Sequence, residues 1–414
     1  MNRAWCHYPF SHVAMTTQGD FTVCCEGSGN GMNVTSGHTP SDFINSSFLK
    51  DVRDAMLSDN PTEDPSVQRA CVRCIKREKE FNTSKRLRDQ KEGRHLVDIV
   101  DSNIQLHREG KDIQKVFDFN FSGFGNHCNL TCVMCSPYAS DKWGKFIKSN
   151  RNKVWDQYWT PSLADDMYLS SSYEVPISIG KEFYDSFESL CREGEIIKIN
   201  ISGGEPLLQP SLLKFFEEMQ RRNIDLHIAM TTNGTVPAKV LEKSFGNFDR
   251  VIVSVSYDAI GKRAEYIRTG TDWERYEENV FDYHILAKKK PNWNITSFSS
   301  IQALNVGYID ELVKWKRDKW FFGGDKWFKH HFVLDPTYLA IRVLPLELRR
   351  KYYDKLINED LDHYDLSKVY DALKRPDAEN QEQLFKRFIL YLHLLDEKED
   401  EDWRDLWPEF LEYT

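Results

Sequence analysis

Three cysteines carry the most chemistry for their spacing. In Gly125-Asn126-His127-Cys128-Asn129-Leu130-Thr131-Cys132-Val133-Met134-Cys135-Ser136-Pro137 the thiols recur as Cys-x3-Cys-x2-Cys. Three thiolates on one loop suit three irons of a [4Fe–4S] cube. The fourth iron then lacks a protein ligand. Substrate chemistry needs such an open position, whereas structural sites are closed. Zinc completed by His127, or three buried free thiols, are the other readings of the same residues. Four more cysteines, Cys6, Cys24, Cys71 and Cys74, lie near the N-terminus. Four thiolates enclose either a fully ligated cluster or a tetrahedral zinc. Cys25 adjoins Cys24, and neighbours in an extended segment point apart, so only one of them should face a metal. Cys191 stands alone in a helical segment and reads as a buried apolar thiol.

The whole chain sets the context for these thiols. It has 414 residues, enough for two to three domains. Hydrophobic residues make up 40% and charged residues 29%, which excludes a disordered or collagen-like chain. Lys plus Arg is 55 against 64 Asp plus Glu, a net charge of -9, so general nucleic-acid binding is not expected. No apolar run reaches the roughly 20 residues that span a bilayer. The first ten residues lack an apolar stretch behind a basic one, so no signal peptide and a cytoplasmic location are expected. Nine cysteines, an odd number, argue against a disulfide scaffold and for metal in a reducing compartment.

Positioning these groups requires strands and helices in alternation. Strand-like runs fall at 116–121, 196–201, 226–231, 251–256, 295–303 and 328–334. Helix-period segments follow most of them, at 140–148, 211–222, 237–245, 273–289, 308–319 and 346–357. Six strand–helix units predict an α/β fold with a parallel sheet and right-handed crossovers, an open sheet or a partial barrel. The cysteine loop follows the first of these strands. Gly203-Gly204-Glu205-Pro206 ends the second, where bare glycines let backbone approach a ligand. The first 75 residues, rich in Gly, Ser, Thr and Asn, predict hairpins and loops. A charged helix is expected over 76–95. The aromatic stretch 150–180 reads as an insertion near the mouth of the sheet; His127, Tyr138, Trp143, Trp155 and Trp159 are candidate pocket neighbours. The last 50 residues look helical, with an acidic run from Asp396 to Asp402 ahead of Trp403, Trp407 and Phe410.

The loop of Cys128, Cys132 and Cys135, with Asn129-Leu130 and Met134, resembles the cluster loop of the radical S-adenosylmethionine (SAM) superfamily. Gly203-Gly204-Glu205-Pro206 resembles that family's GGEP motif, and Ser254 to Ala259 its Ser-x-Asp-Gly stretch, with Ala259 in place of Gly. The resemblance implies a partial (β/α)6 TIM-like barrel and a [4Fe–4S] cluster whose open iron chelates SAM. It implies reductive cleavage to a 5′-deoxyadenosyl radical that abstracts hydrogen from a substrate. On the same resemblance Gly203, Gly204, Glu205 and Pro206 meet the methionine amino end and Arg268 its carboxylate. Ser254 and Ser256 meet the ribose, Asn305 faces the adenine, and Asn233 lies in a turn that contacts SAM. The piece Cys6-x12-Gly19-x4-Cys24 resembles SPASM/twitch modules, which carry auxiliary [4Fe–4S] clusters; that spacing takes Cys24 rather than Cys25. A twitch module usually follows the barrel. Its N-terminal place here resembles twitch-containing radical SAM proteins encoded by bacteriophages, which would put the protein in a host cytoplasm.

The expected organisation is therefore an auxiliary-cluster module over 1–80, a charged connector over 81–111, a partial barrel over 112–345 and a helical C-terminal extension over 346–414. The resemblance implies an electron donor such as flavodoxin or ferredoxin. It implies a peptide or protein substrate, with a small molecule such as a sugar or nucleotide as the alternative. A non-catalytic iron–sulfur binding protein is the rival from a different class.

Overall fold

A computed structural model describes residues 5–81, 84–93, 98–122, 124–149, 177–191, 197–319, 329–334, 336–359, 361, 364–399 and 401–414. Most of the expected 150–180 insertion, including Trp155 and Trp159, lies outside the described residues. The chain divides into two compact units: 1–126 with 174–230 and 243–251, and 127–173 with 231–242 and 252–414.

The first unit contains β1 (His12–Met15), β2 (Phe21–Thr22), β3 (Asp118–Phe121), β4 (Ile197–Ile201) and all but the last two residues of β5 (Leu226–Thr232), in sheet order β2-β1-β3-β4-β5. β1 and β2 form an antiparallel hairpin, with Ala14 beside Thr22. β1 also pairs in parallel with β3, from His12 beside Asp118 to Met15 beside Phe121. β3, β4 and β5 are parallel to one another. Burial alternates along β4, where Ile197, Ile199 and Ile201 are covered and Lys198 and Asn200 are half-buried. That period of two is why the sequence reads as strand. The covered side of β3 meets phenylalanines on two helices, Lys181–Leu190 and Pro210–Arg221. The Phe119 ring lies 4.4 Å from Phe187 in a tilted arrangement, and Phe187 lies 5.2 Å edge-on from Phe215. Such pairs add about 0.5–1.5 kcal/mol each beyond their burial.

The N-terminal segment departs from the hairpins and loops expected of it. Helices occupy Pro40–Ile44, Ser47–Met56, Pro65–Ala70 and Val72–Phe81. The Thr39, Ser46 and Asp64 side chains each accept from a first-turn backbone N–H, so caps supply what the short segments lack in length. Nor does the segment stand apart as a module over 1–80. β1 is part of the same sheet as β3. The buried Arg53 guanidinium donates to Pro9 O at 2.8 Å and to Ile44 O. Asn103, on the helix Asp98–Arg108, donates to Phe10 O at 2.7 Å and Lys115 O at 2.8 Å.

The second unit contains β6 (Arg250–Ser256) from Ile252 on, β7 (Trp293–Ile301) and β8 (His330–Phe332), in that order, with β7 and β8 parallel. Helices follow at Gly261–Ile267, Trp273–Lys288, Ile309–Lys319 and Leu346–Ile357. The fold is α/β, with the strand–helix order of a partial (β/α)6 TIM-like barrel from β3 to β8 and a helical C-terminal extension. The extension consists of Ser367–Lys374, Gln381–Glu399 and Trp403–Leu406 and ends in a 3-10 turn at Pro408–Tyr413. Arg349 is fully buried and ties its pieces together, donating to Leu344 O, Leu373 O and Arg375 O and pairing with Asp377. No helix among the described residues is long and apolar enough to cross a membrane.

Candidate functional site

The three-cysteine loop lies in the second unit, and its backbone is held almost atom by atom. Cys128 N–H donates to Asp141 Oδ1 at 2.9 Å. Asn129 O accepts from Lys142 Nζ at 2.6 Å, and Leu130 O from Ser140 Oγ at 2.8 Å. Thr131 N–H and Val133 N–H donate to Thr269 O and Ile267 O at 3.0 and 2.9 Å. Cys132 O accepts from Trp143 Nε1 at 2.9 Å, and Val133 O from the Tyr391 hydroxyl at 2.7 Å. Four of these braces come from Ser140-Asp141-Lys142-Trp143, because the helix Asp141–Ser149 starts directly after the loop. Gly270 sits at φ +97°, where a Cβ would lie 3.2 Å from Leu130 Cδ2 and 3.3 Å from Asn129 O. Only glycine permits that approach without strain.

The sulfurs meet polar side chains from other elements. Asn233 Nδ2 donates to Asn129 Oδ1 at 2.9 Å and stands 3.9 Å from Cys128 Sγ. Arg268 Nη1 lies 3.7 Å from Cys132 Sγ, and its Nη2 lies 2.7 Å from Asp258 Oδ2. The two side chains are 12% and 0% exposed, so Arg268 is no surface arginine. Burial opposes its charge, but Asp258 and then Cys132 outweigh it and raise its pKa. Burial raises the Cys132 thiol while the guanidinium pulls the other way. Burial and Cys132 push Cys135 up to about 12. Without metal these thiols stay protonated at neutral pH, and binding metal must release their protons.

Ser254 and Ser256 share the half-buried face of β6, opposite Val253 and Val255. Ser254 Oγ lies 3.0 Å from Thr296 Oγ1. Met134 is half-buried. Asn305 was expected to face an adenine, but its carboxamide is used inside the fold. Nδ2 donates to Asp258 O and Ser300 O at 3.0 and 2.9 Å, and Oδ1 accepts Gln302 N–H at 2.8 Å. It braces the end of β7, with both amide hydrogens used inside the fold. His127 points to Asp141 at 3.3 Å with its side chain 58% exposed, which speaks against its completing a zinc site. Trp143 is buried and braces the loop through Cys132 O. Gly203, Gly204, Glu205 and Pro206 belong to the first unit and follow β4 directly. Gly203 has φ +126°, and the buried Glu205 carboxylate accepts Leu207 N–H at 3.2 Å, capping the turn Pro206–Leu208. Asp258, Asp141 and Tyr391 were missed. Asp258 stands within the very stretch quoted for its serines; only its long-range partner Arg268 reveals its part.

The N-terminal cysteines converge within the first unit. Cys6, Cys24, Cys71 and Cys74 line one cavity, together with Tyr8, Lys85 and Arg86. Cys25 is exposed and is not part of the lining. Burial pushes the Cys6 and Cys24 thiols up, and Cys71 up to about 12. Members of the set add to this: Cys71 acts on Cys6, Cys6 on Cys24, and Cys74 on Cys71. Arg86 draws Cys6 and Cys71 the other way. Arg86 is itself held by Glu78 at 2.6 Å, and Lys85 by Asp89 at 3.1 Å. Three raised thiols and a fourth, Cys74, gathered at one cavity with Lys85, Arg86 and Glu26, fit a metal group held by four thiolate ligands. Among the described residues no three Cys, His, Asp or Glu side chains stand at the spacing that holds a single metal ion.

Residues 123–286 match the Radical SAM superfamily. No curated protein matches the chain. Among solved structures, native anSMEcpe with bound AdoMet is similar at 18% identity and a TM-score of 0.38, over 58% of this chain and 60% of that one. Streptococcus suis SuiB bound to precursor peptide SuiA is similar at 11% identity and a TM-score of 0.34, over 76% of this chain and 68% of that one. The chain thus spans less than two thirds of the length of anSMEcpe.

Proposed function

We propose that the chain is a radical SAM enzyme that modifies or oxidises a peptide or protein. The observation that carries this reading is the loop 128–135, whose backbone bonds are already made and whose three sulfurs remain as ligands. Bound there, a [4Fe–4S] cluster with one open iron and SAM would supply reductive radical chemistry for removing a hydrogen atom from the substrate. The chain's own residues bind and orient. Cys128, Cys132 and Cys135 hold three irons. Arg268, fixed by Asp258, offers a guanidinium fork suited to a carboxylate. Gly203, Gly204, Glu205 and Pro206 hold the methionine amino end, Ser254 and Ser256 the ribose, and Asn233 and Met134 flank the cluster. Cys6, Cys24, Cys71 and Cys74 hold a closed auxiliary [4Fe–4S] cluster. Tetrahedral zinc needs its sulfurs about 4 Å apart, tighter than a cube that takes one thiolate per corner iron. The one-electron donor is a flavodoxin- or ferredoxin-like carrier.

Anaerobic reconstitution should load about eight irons and eight sulfides per chain, four for each cube. The reduced protein with SAM should release 5′-deoxyadenosine. Replacing Cys128, Cys132 and Cys135 together by Ala should remove half the iron and all of the cleavage. Cleavage that survives in that variant refutes the site. Zinc alongside about four irons would assign the N-terminal thiols to zinc.

A further inference from the structure

We propose that the C-terminal helix Gln381–Glu399 is a clamp that fixes the cluster loop against Arg268, with Tyr391 and Lys398 as its positioning residues; this rests on the loop holding a cluster. The helix lies beyond the residues that match the superfamily, yet it reaches the loop twice. The Tyr391 hydroxyl donates to Val133 O at 2.7 Å, on the span between Cys132 and Cys135. Lys398 Nζ donates to Thr131 Oγ1 at 2.8 Å, next to Cys132. Seven residues, two helical turns, separate the two contacts, which puts them on one face. Lys398 Nζ also lies 5.6 Å above the ring of Trp143, the residue that holds Cys132 O.

The same helix grips the segment that carries Arg268. The Tyr266 hydroxyl donates to Asp396 Oδ1 at 2.9 Å and Leu392 O at 3.3 Å. Tyr266 opens Tyr266-Ile267-Arg268-Thr269, whose Ile267 and Thr269 carbonyls pair with the loop. The loop, the arginine segment and the helix therefore bond pairwise, each to the other two. Such a triangle sets the distance between Cys132 Sγ and the guanidinium. Packing alone does not explain it. Tyr391 is 3% exposed with its ring 4.9 Å from that of Tyr338, and its hydroxyl supplies the partner of a carbonyl that would otherwise be buried unpaired.

The test uses the full-length, anaerobically reconstituted protein. Tyr391→Phe keeps the ring and removes the hydroxyl; Lys398→Met keeps the apolar stem and removes the ammonium. Tyr391→Phe should release loop iron to a chelator about fivefold faster, the equivalent of about 1 kcal/mol for one hydrogen bond. It should alter the electron paramagnetic resonance signal of the reduced loop cluster and leave the N-terminal signal unchanged. The variant lacking Cys128, Cys132 and Cys135 assigns the two signals. Lys398→Met should act in the same direction. Unchanged release and spectra in both variants overturn the clamp, and so does an equal loss from both cysteine sets, which would mean general destabilisation. A wild-type loop that takes up no iron refutes the cluster reading itself, a distinct result.

Discussion

Arg268→Met offers a quantitative test of how the site is built. The change deletes the cation of a pair that is nearly sealed, with side chains 12% and 0% exposed and a 2.7 Å contact. Asp258 Oδ1 still accepts Ser300 N–H at 2.7 Å, but Oδ2 loses its partner. Breaking a buried ion pair from one side costs about 3–5 kcal/mol, because a lone charge stays behind. The surviving Ser300 bond places this case near the lower figure, about 3 kcal/mol. Adding Asp258→Asn to Arg268→Met removes that lone charge, while the introduced amide oxygen keeps the Ser300 bond. The double variant should therefore be more stable than Arg268→Met alone, with a coupling of about 1–3 kcal/mol between the two changes. Urea titration of the metal-free chain measures this, provided the slopes agree among variants. A cost below about 1 kcal/mol for Arg268→Met, or costs that simply add, would show that the pair is hydrated and does not hold the guanidinium beside Cys132.

Two further predictions test other regions. Cys24→Ala should lose the N-terminal metal and lower the melting temperature, whereas Cys25→Ala should keep both sets of iron, since only Cys24 lines the cavity; iron analysis showing the reverse would reassign the ligand. Burial, with Lys316 and Lys288 nearby, pushes His284 down to about 4. Its unfolded imidazole takes a proton below about pH 6.5, so between pH 6.5 and 4 the unfolded state binds more protons. Stability should fall as pH drops through that window, by up to about 1.4 kcal/mol per pH unit from this group, and His284→Gln should flatten the slope measured by urea titration. An equal slope in the variant would assign the acid sensitivity elsewhere.

The strands and helices that were legible in the sequence are those whose burial is periodic. β4, β5 and β6 alternate, and the helix Pro210–Arg221 buries Leu212, Phe215, Phe216 and Met219 on one face, so pattern and structure coincide. β1 was not legible: all four of its residues are buried, so no alternation marks it. The N-terminal helices are short and depend on caps and tertiary packing, while their Gly, Ser, Thr and Asn content reads as loop. At the site, the cysteine spacing is local and was readable. What holds the cysteines is only partly local: Ser140 to Trp143 follow the loop directly, but Arg268 needs Asp258, Val133 needs Tyr391, and the Asn305 carboxamide bonds its own strand end. Such pairings arise from the fold and leave no spacing for a sequence to show.

The parallel seating of β1 against β3 dictates an order of events during synthesis. The residues His12–Met15 leave the ribosome before their partner Asp118–Phe121, which follows only after the intervening residues 16–117 have been made. Until then the β1–β2 hairpin is a lone two-stranded ribbon with an open edge, marginal in water and prone to wrong pairing. Cys6, Cys24, Cys71 and Cys74 are all translated before that seat exists. β1 therefore pairs backwards, an earlier-made strand docking onto a later-made one. A truncated chain ending ahead of Asp118 would carry all four thiols yet lack the strand that seats β1.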